Sequence, residues 1–382
     1  MDTRALACQA GWMSKHVLII GGGIVGASTA FALSRAGARV TLLERHAPAA
    51  GASSKSFAWL NANYPDTEDY FSLRLAALAH YRELAADFDL SRLLRFGGSL
   101  WWEDEGEDFD AHVALLERFD YDCQVVERRD FAALVPAILN PPERALLAPR
   151  EAGVDLAGLT RWMLTQASAA GASVQTGSGV DGLETQGGRV VGARTALERI
   201  EADAVVLAAG TVTGSLLSTM DLHLPMANNA GLILRSAPQP ALLDHVIMSP
   251  DVHFRQDPDG TILMGEIFSG AFEPGRDIAE LRADVLGRVA QRLRTLEPLT
   301  IAQTTLGTRP MPVDGLPAVG TLPELEGLHV AVMHSAATLG PLIGEMVAQE
   351  VLTGEAVPDL ATFRPDRFDL KPTSAQPESP AP

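Results

Sequence analysis

Six residues near the start of the chain, Gly21-Gly22-Gly23-Ile24-Val25-Gly26, constrain its fold more than any other stretch. The apolar run Val17–Ile20 leads into these glycines, as a buried parallel strand does. Small, helix-forming residues follow from Ala27 to Ala36, with Gly37 as a C-terminal stop, and Val40–Leu43 reads as a second strand. Strand, glycine turn, helix and strand make one βαβ unit. Gly21 permits the tight turn, Gly23 lets a phosphate approach the backbone, and Gly26 lets helix and strand pack closely. Ile24 and Val25 open the helix, whose N-terminal N–H groups attract phosphate. Glu44 ends the second strand, where a carboxylate accepts both hydroxyls of an adenosine ribose. A Rossmann-type domain holding a dinucleotide is expected, and these residues suit NAD and FAD alike.

The rest of the chain bounds the partners. Its 382 residues suit two domains better than one. Forty-eight acidic against 30 basic side chains give a net charge of −18, which repels phosphate backbones and anionic lipid. Nucleic acid and membrane surfaces are therefore not expected partners. Two cysteines, Cys8 and Cys123, are too few for a disulfide framework, so a cytoplasmic setting is expected. No apolar run approaches the ~20 residues that span a bilayer. Residues 1–12 lack the apolar core of a signal peptide, and Met13 reads as the natural start. The Pro- and Ser-rich residues 371–382 read, like 1–12, as a disordered terminus.

Helices are expected at 67–90, near 110–119, at 156–170, at 276–294 and from Pro341 to Leu352. Strands are expected at Ser99–Trp102, Val180–Leu183, Arg189–Arg194, Ala204–Gly210 and His329–Val332. A hairpin should join His253-Phe254-Arg255 through Asp259-Gly260 to Ile262–Gly265. The texture implies a discontinuous nucleotide-binding domain (13–92, 150–220 and 304–366). It is interrupted by an inserted α+β, antiparallel-sheet domain (93–149 and 221–303). The expected class is α/β.

Three further segments point to FAD. Gly51-Ala52-Ser53-Ser54 offers hydroxyls and N–H groups to a second phosphate region, and Val205–Gly210 should cross the sheet near the adenosine. The third, Thr308-Arg309-Pro310-Met311-Pro312-Val313-Asp314-Gly315-Leu316-Pro317 followed by Gly320, is the most specific stretch of the chain. With GGGIVG, LLER, GASS, VVLAAG and the closing VAVMHSAATLGPLIGEMVAQEVLTG, it resembles the D-amino-acid oxidase superfamily of glycine oxidase, sarcosine oxidase and D-amino-acid dehydrogenases. The resemblance runs from Lys15 to Thr353.

That resemblance implies a glutathione-reductase-like FAD domain and a set of contacts. Gly21, Gly23, Ile24, Val25, Gly26, Glu44 and Arg45 would hold the ADP half, Ser53 and Ser54 the pyrophosphate, and Val180 the adenine. Ala209 and Gly210 would line the same cleft. Arg309 would pair with a substrate carboxylate, its planar fork matching the two oxygens, or else hold its loop by a salt bridge. Residues His334 to Gly340 would form a loop before the last helix, where Thr338, Leu339, Gly340 and the helix N-terminus at Pro341 favour negative charge on the reduced cofactor. His334 is a candidate catalytic residue, or a packed histidine. His253 and Arg255 stand where relatives place a substrate-domain tyrosine, with Arg255 a second candidate for the carboxylate or else a solvated charge on a half-exposed strand. Trp59 could wall the pocket or simply pack in the core, and Glu266 is a pocket acid or a strand end.

Residues 300–320 hold no cysteine and Gly51–Ser56 no histidine, so non-covalent FAD is expected. No metal-ligand spacing, HExxH, GxSxG or P-loop is present. The implied reaction oxidises the C–N bond of a small amino acid or amine by hydride transfer, giving an imine and then a keto acid, with oxygen or an electron-transfer acceptor as the oxidant. The alternatives are oxidation of a 2-hydroxy acid and a non-catalytic FAD-binding subunit.

Overall fold

A computed structural model describes residues 15–266 and 277–371; the expected extension at 1–12 and nearly all of the 371–382 tail lie outside them. The run His16–Ile20 forms the centre of a parallel sheet, pairing with Arg39–Glu44 on one side and Ala204–Leu207 on the other. Leu325–Val332 extends the sheet beyond Ala204–Leu207, and Ser173–Thr176 extends it beyond Arg39–Glu44. Val17, Leu18 and Ile19 have no solvent exposure, as continuous apolar strands covered on both faces require.

The helix Ile24–Arg35 packs between Leu156–Ala169 and the last helix, Ala336–Thr353. Glycines set that distance. A Cβ on Gly344 would lie 2.4 Å from Ser28 Cβ, and one on Gly340 would lie 2.9 Å from Ile24 Cγ1.

The two stretches expected as an inserted domain share one sheet. In space it runs Ile301–Pro312, Met226–Ser236, Ile262–Gly265, His253–Gln256, Val246–Met248, Ser99–Trp101, Arg144–Ala148 and Gln124–Glu127. The hairpin forms as expected, Phe254 opposite Met264. A small sheet of Trp59–Leu60, Ala152–Val154 and Leu94–Arg95 lies between the two large ones in the chain's path.

Three expectations change. The last helix begins at Ala336, so Pro341 lies inside it rather than at its start. An internal proline leaves the carbonyl four residues earlier without its helical donor, and here the Tyr81 hydroxyl donates to Ala337 O at 2.6 Å. The stretch 304–312 is not part of the nucleotide-binding sheet: it continues the strand Ile301–Pro312 across the boundary expected at 303. Pro310 and Pro312 are tolerated because that strand is an edge. The charged strand His253–Gln256, read as half-exposed, is buried along its whole length.

Candidate active site

Strand ends and glycine turns create the cleft. Gly21 has φ of +110°, and a Cβ there would lie 2.4 Å from Ala208 O. At Gly26 a Cβ would sit 2.0 Å from Gly21 O, so the chain's own packing demands glycine at both positions. Gly23 differs, since a Cβ would meet only the Ser53 hydroxyl, at 3.3 Å. The backbone there is open to the cleft, which is what a pyrophosphate needs. Ser53 Oγ accepts from Ile24 N at 3.0 Å and ties the Gly-Ser segment to the helix start.

Glu44 closes one end. Its carboxylate accepts from Gly22 N and His46 N, each at 2.7 Å, so two backbone donors fix its direction. Each oxygen keeps capacity for a further donor. Arg45, Val180, Ala209 and Gly210 line the same cleft, a cavity of about 370 Å³. Ser54 turns away and donates to Gly51 O at 3.3 Å, while Lys55 and Ser56 face the cleft in its place. Leu339 and Gly340 are buried packing residues outside the cleft; Ala336 and Ala337, in the first turn of the last helix, line it instead.

A second cavity, of about 270 Å³, adjoins the first. Lys55, Ser56, Pro310, His334 and Ala337 line both, so the two spaces meet around them. Arg309 reaches the second cavity from the edge strand. Gly231 and Gly307 are paired across the two strands and carry no side chain to fill the wall. A Cβ on Gly231 would lie 3.7 Å from an Arg309 terminal nitrogen. Trp59, Tyr64, Tyr70 and Phe57 supply aromatic surface, and Asp66 and Glu266 supply carboxylates.

The electrostatics of this junction favour anions. Burial lowers the pKa of Arg309 from the ordinary guanidinium value. His334 is pushed down to about 4, by burial first and then by the Arg309 and Arg74 cations, so it is neutral at pH 7. The first-turn N–H groups of the last helix add partial positive charge.

Arg255 and His253 do not reach this cavity. Arg255 is 2% exposed and fully engaged, donating to Phe57 O, to Val154 O and to Asp257 in an ion pair. His253 is buried against Glu103. Both brace the wall from behind, and the carboxylate role raised for Arg255 is not supported.

Sequence reasoning missed Lys55, Tyr64, Tyr70 and Arg74, which follow the Gly-Ser segment and carry no motif of their own. Arg74 donates to Asn61 O at 3.0 Å and Tyr64 O at 2.8 Å, and so folds the 61–64 segment onto the cavity. Among the described residues there is no group of His, Cys, Asp and Glu able to hold a metal. No described helix is long and apolar enough to cross a membrane.

A glycine-turn cleft on a parallel sheet, opening into a cavity walled by an antiparallel sheet, defines a dinucleotide-binding oxidoreductase architecture. The family model of the FAD-dependent oxidoreductases called DAO matches residues 16–350, and the chain belongs to that family. It is 26% identical to a glycine oxidase of Pseudomonas aeruginosa over 366 residues, covering 92% of this chain and 99% of the relative. Among solved structures, L-amino acid deaminase from Proteus vulgaris superposes with a TM-score of 0.84 at 20% identity, covering 93% of this chain and 94% of the other. Glycine oxidase from Geobacillus kaustophilus gives 0.81 at 23%, covering 93% and 100%. The α/β fold with its mixed sheets is the one these structures share.

Proposed function

We propose that the chain oxidises the C–N bond of a small amino acid or secondary amine, with FAD held non-covalently in the larger cleft. One observation carries the reading. A half-buried guanidinium, Arg309, lines a substrate-sized cavity that meets the cofactor cleft at His334 and Pro310. When bound, FAD supplies the hydride acceptor. The chain supplies orientation. Arg309 would take the substrate carboxylate in a two-pronged bond, and the aromatic walls would hold the side chain and exclude water. The positive field at the junction, from Arg309, Arg74 and the last helix, would stabilise negative charge accumulating there. In this reading the FAD domain comprises 13–92, 150–220 and the part of 304–366 beyond the edge strand.

The test is anaerobic bleaching of the yellow protein by an amino acid and by its decarboxylated amine. The acid should reduce the flavin at far lower concentration. Equal potency of the two would remove the carboxylate site from the account.

Two cofactor claims are checked separately. Cys123 lines neither cavity, and the two segments where relatives attach flavin hold no cysteine (300–320) and no histidine (51–56). Acid precipitation should therefore release all colour into the supernatant; a yellow pellet would mean a covalent link. Glu44→Ala should weaken FAD binding by about 1.5–3 kcal/mol for each ribose hydrogen bond lost, with the far-ultraviolet spectrum unchanged. Unaltered FAD affinity would place the ribose elsewhere.

A further inference from the structure

Glu151 has no solvent exposure, yet it is a carboxylate and stands one layer behind the substrate cavity. Four donors converge on it. Trp59 Nε1 and Ser99 Oγ donate to one oxygen at 2.7 and 2.5 Å. The Tyr121 hydroxyl and Ala62 N donate to the other at 2.5 and 3.4 Å. Trp59 lines the cavity, and Ala62 lies between the cavity residues Asn61 and Tyr64. Arg74 grips the same segment from its carbonyl side, through Asn61 O and Tyr64 O. A buried anion on the segment's N–H groups and a buried cation on its C=O groups thus hold residues 59–64 as the cavity wall.

We propose that Glu151 is a positioning residue: through Trp59 it sets the wall of the substrate cavity, and so controls the affinity for carboxylate ligands without touching them. The site's use as a substrate cavity rests on the function proposed above; the hold on Trp59 does not.

The strength of that hold follows the charge of Glu151. Bonds to an ionised acceptor are roughly twice as strong as neutral ones. Burial raises Glu151 to about 7, against the lowering effects of its Ser99, Tyr121 and Trp59 bonds and of the Arg74 cation. The other titratable groups facing it are Tyr121 and Tyr64, both pushed up by burial, and Cys123, pushed up to about 11. All three stay neutral across this range. Of the groups in contact with Glu151 only the glutamate itself changes charge there, and the wall loosens as pH falls through about 7. His112, which meets the same segment at Asn63 and Tyr64, has its pKa lowered by burial and titrates equally in a Glu151→Gln control. Glutamine at 151 mimics the protonated state, because its carbonyl can accept from Trp59 and Ser99 while its amide donates to the Tyr121 oxygen, at the loss only of the longest bond, from Ala62 N at 3.4 Å.

The probe is benzoate, a carboxylate on an apolar ring, titrated by its effect on the flavin spectrum of the holoenzyme. Wild type should lose affinity by about threefold from pH 8.5 to 5.5, relative to Glu151→Gln, which should stay near the low-pH value throughout. Glu151→Leu should weaken benzoate about tenfold at pH 8.5, and adding it to Trp59→Phe should cost far less than it does alone. A second readout needs no ligand. The indole N–H resonance of Trp59, assigned by its loss in Trp59→Phe, should titrate near pH 7 in wild type and be flat in Glu151→Gln. If benzoate fails to bind wild type, the functional reading fails and the resonance alone decides the role of Glu151. A resonance that does not titrate, or additive effects of the two substitutions, would overturn the proposal.

Discussion

Arg309→Ala is expected to erase the preference for a carboxylate-bearing substrate while leaving FAD bound. The guanidinium sits on an edge strand, lines the smaller cavity and is partly desolvated. Truncation leaves the ligand's carboxylate without its partner in a water-poor site, at a cost of roughly 2–5 kcal/mol. Arg309→Lys keeps the charge and loses the fork, so it should fall between the two. The reading is the substrate concentration that half-reduces the flavin anaerobically, for an amino acid and its decarboxylated amine. An acid preference that survives in Arg309→Ala would move the carboxylate to another cation on this cavity, Lys55 first.

Gly26→Ala is expected to purify colourless. Its Cβ would sit 2.0 Å from Gly21 O, a backbone atom with no freedom to yield, so the turn and the helix start must separate. Overpacking of that kind costs about 1–3 kcal/mol in stability and displaces the N–H groups that would face the pyrophosphate. Gly23→Ala separates packing from binding. Its Cβ meets only a serine hydroxyl, so the apoprotein should melt like wild type while FAD affinity falls. If Gly23→Ala binds FAD normally, the pyrophosphate does not pass over that residue. If Gly26→Ala keeps both colour and melting temperature, the close approach of helix and strand is unimportant.

The opening βαβ unit was legible because its signals are local. Val17–Ile20, the glycines and Glu44 lie within one short stretch, and the structure brings Ile20, Gly21, Gly23 and Glu44 to one cleft. The hairpin at 253–265 was legible for the same reason, an alternating pattern around Asp259-Gly260. The start of the last helix was misplaced because proline normally marks a helix N-terminus; a hydroxyl from Tyr81, far away in sequence, makes it tolerable inside. His253 and Arg255 misled for a related reason. Charged residues on a strand suggest solvent or ligand, and nothing local shows that Glu103, Asp257 and two backbone carbonyls are waiting for them. The wall residues Tyr64, Tyr70 and Arg74 share no motif, and only the folding of 59–64 between Glu151 and Arg74 brings that segment to the cavity. Binding elements built on glycine turns can be read from sequence, whereas walls built from long-range hydrogen bonds cannot.

The central claim is C–N oxidation of a carboxylate-bearing amine, and one stoichiometry tests it most directly. The holoenzyme is mixed anaerobically with the primary amino acid that bleaches it best, and ammonia and keto acid are counted against reduced flavin. One of each per flavin is expected, with the matching 2-hydroxy acid leaving the protein yellow. Bleaching by the hydroxy acid, or keto acid formed without ammonia, would contradict it.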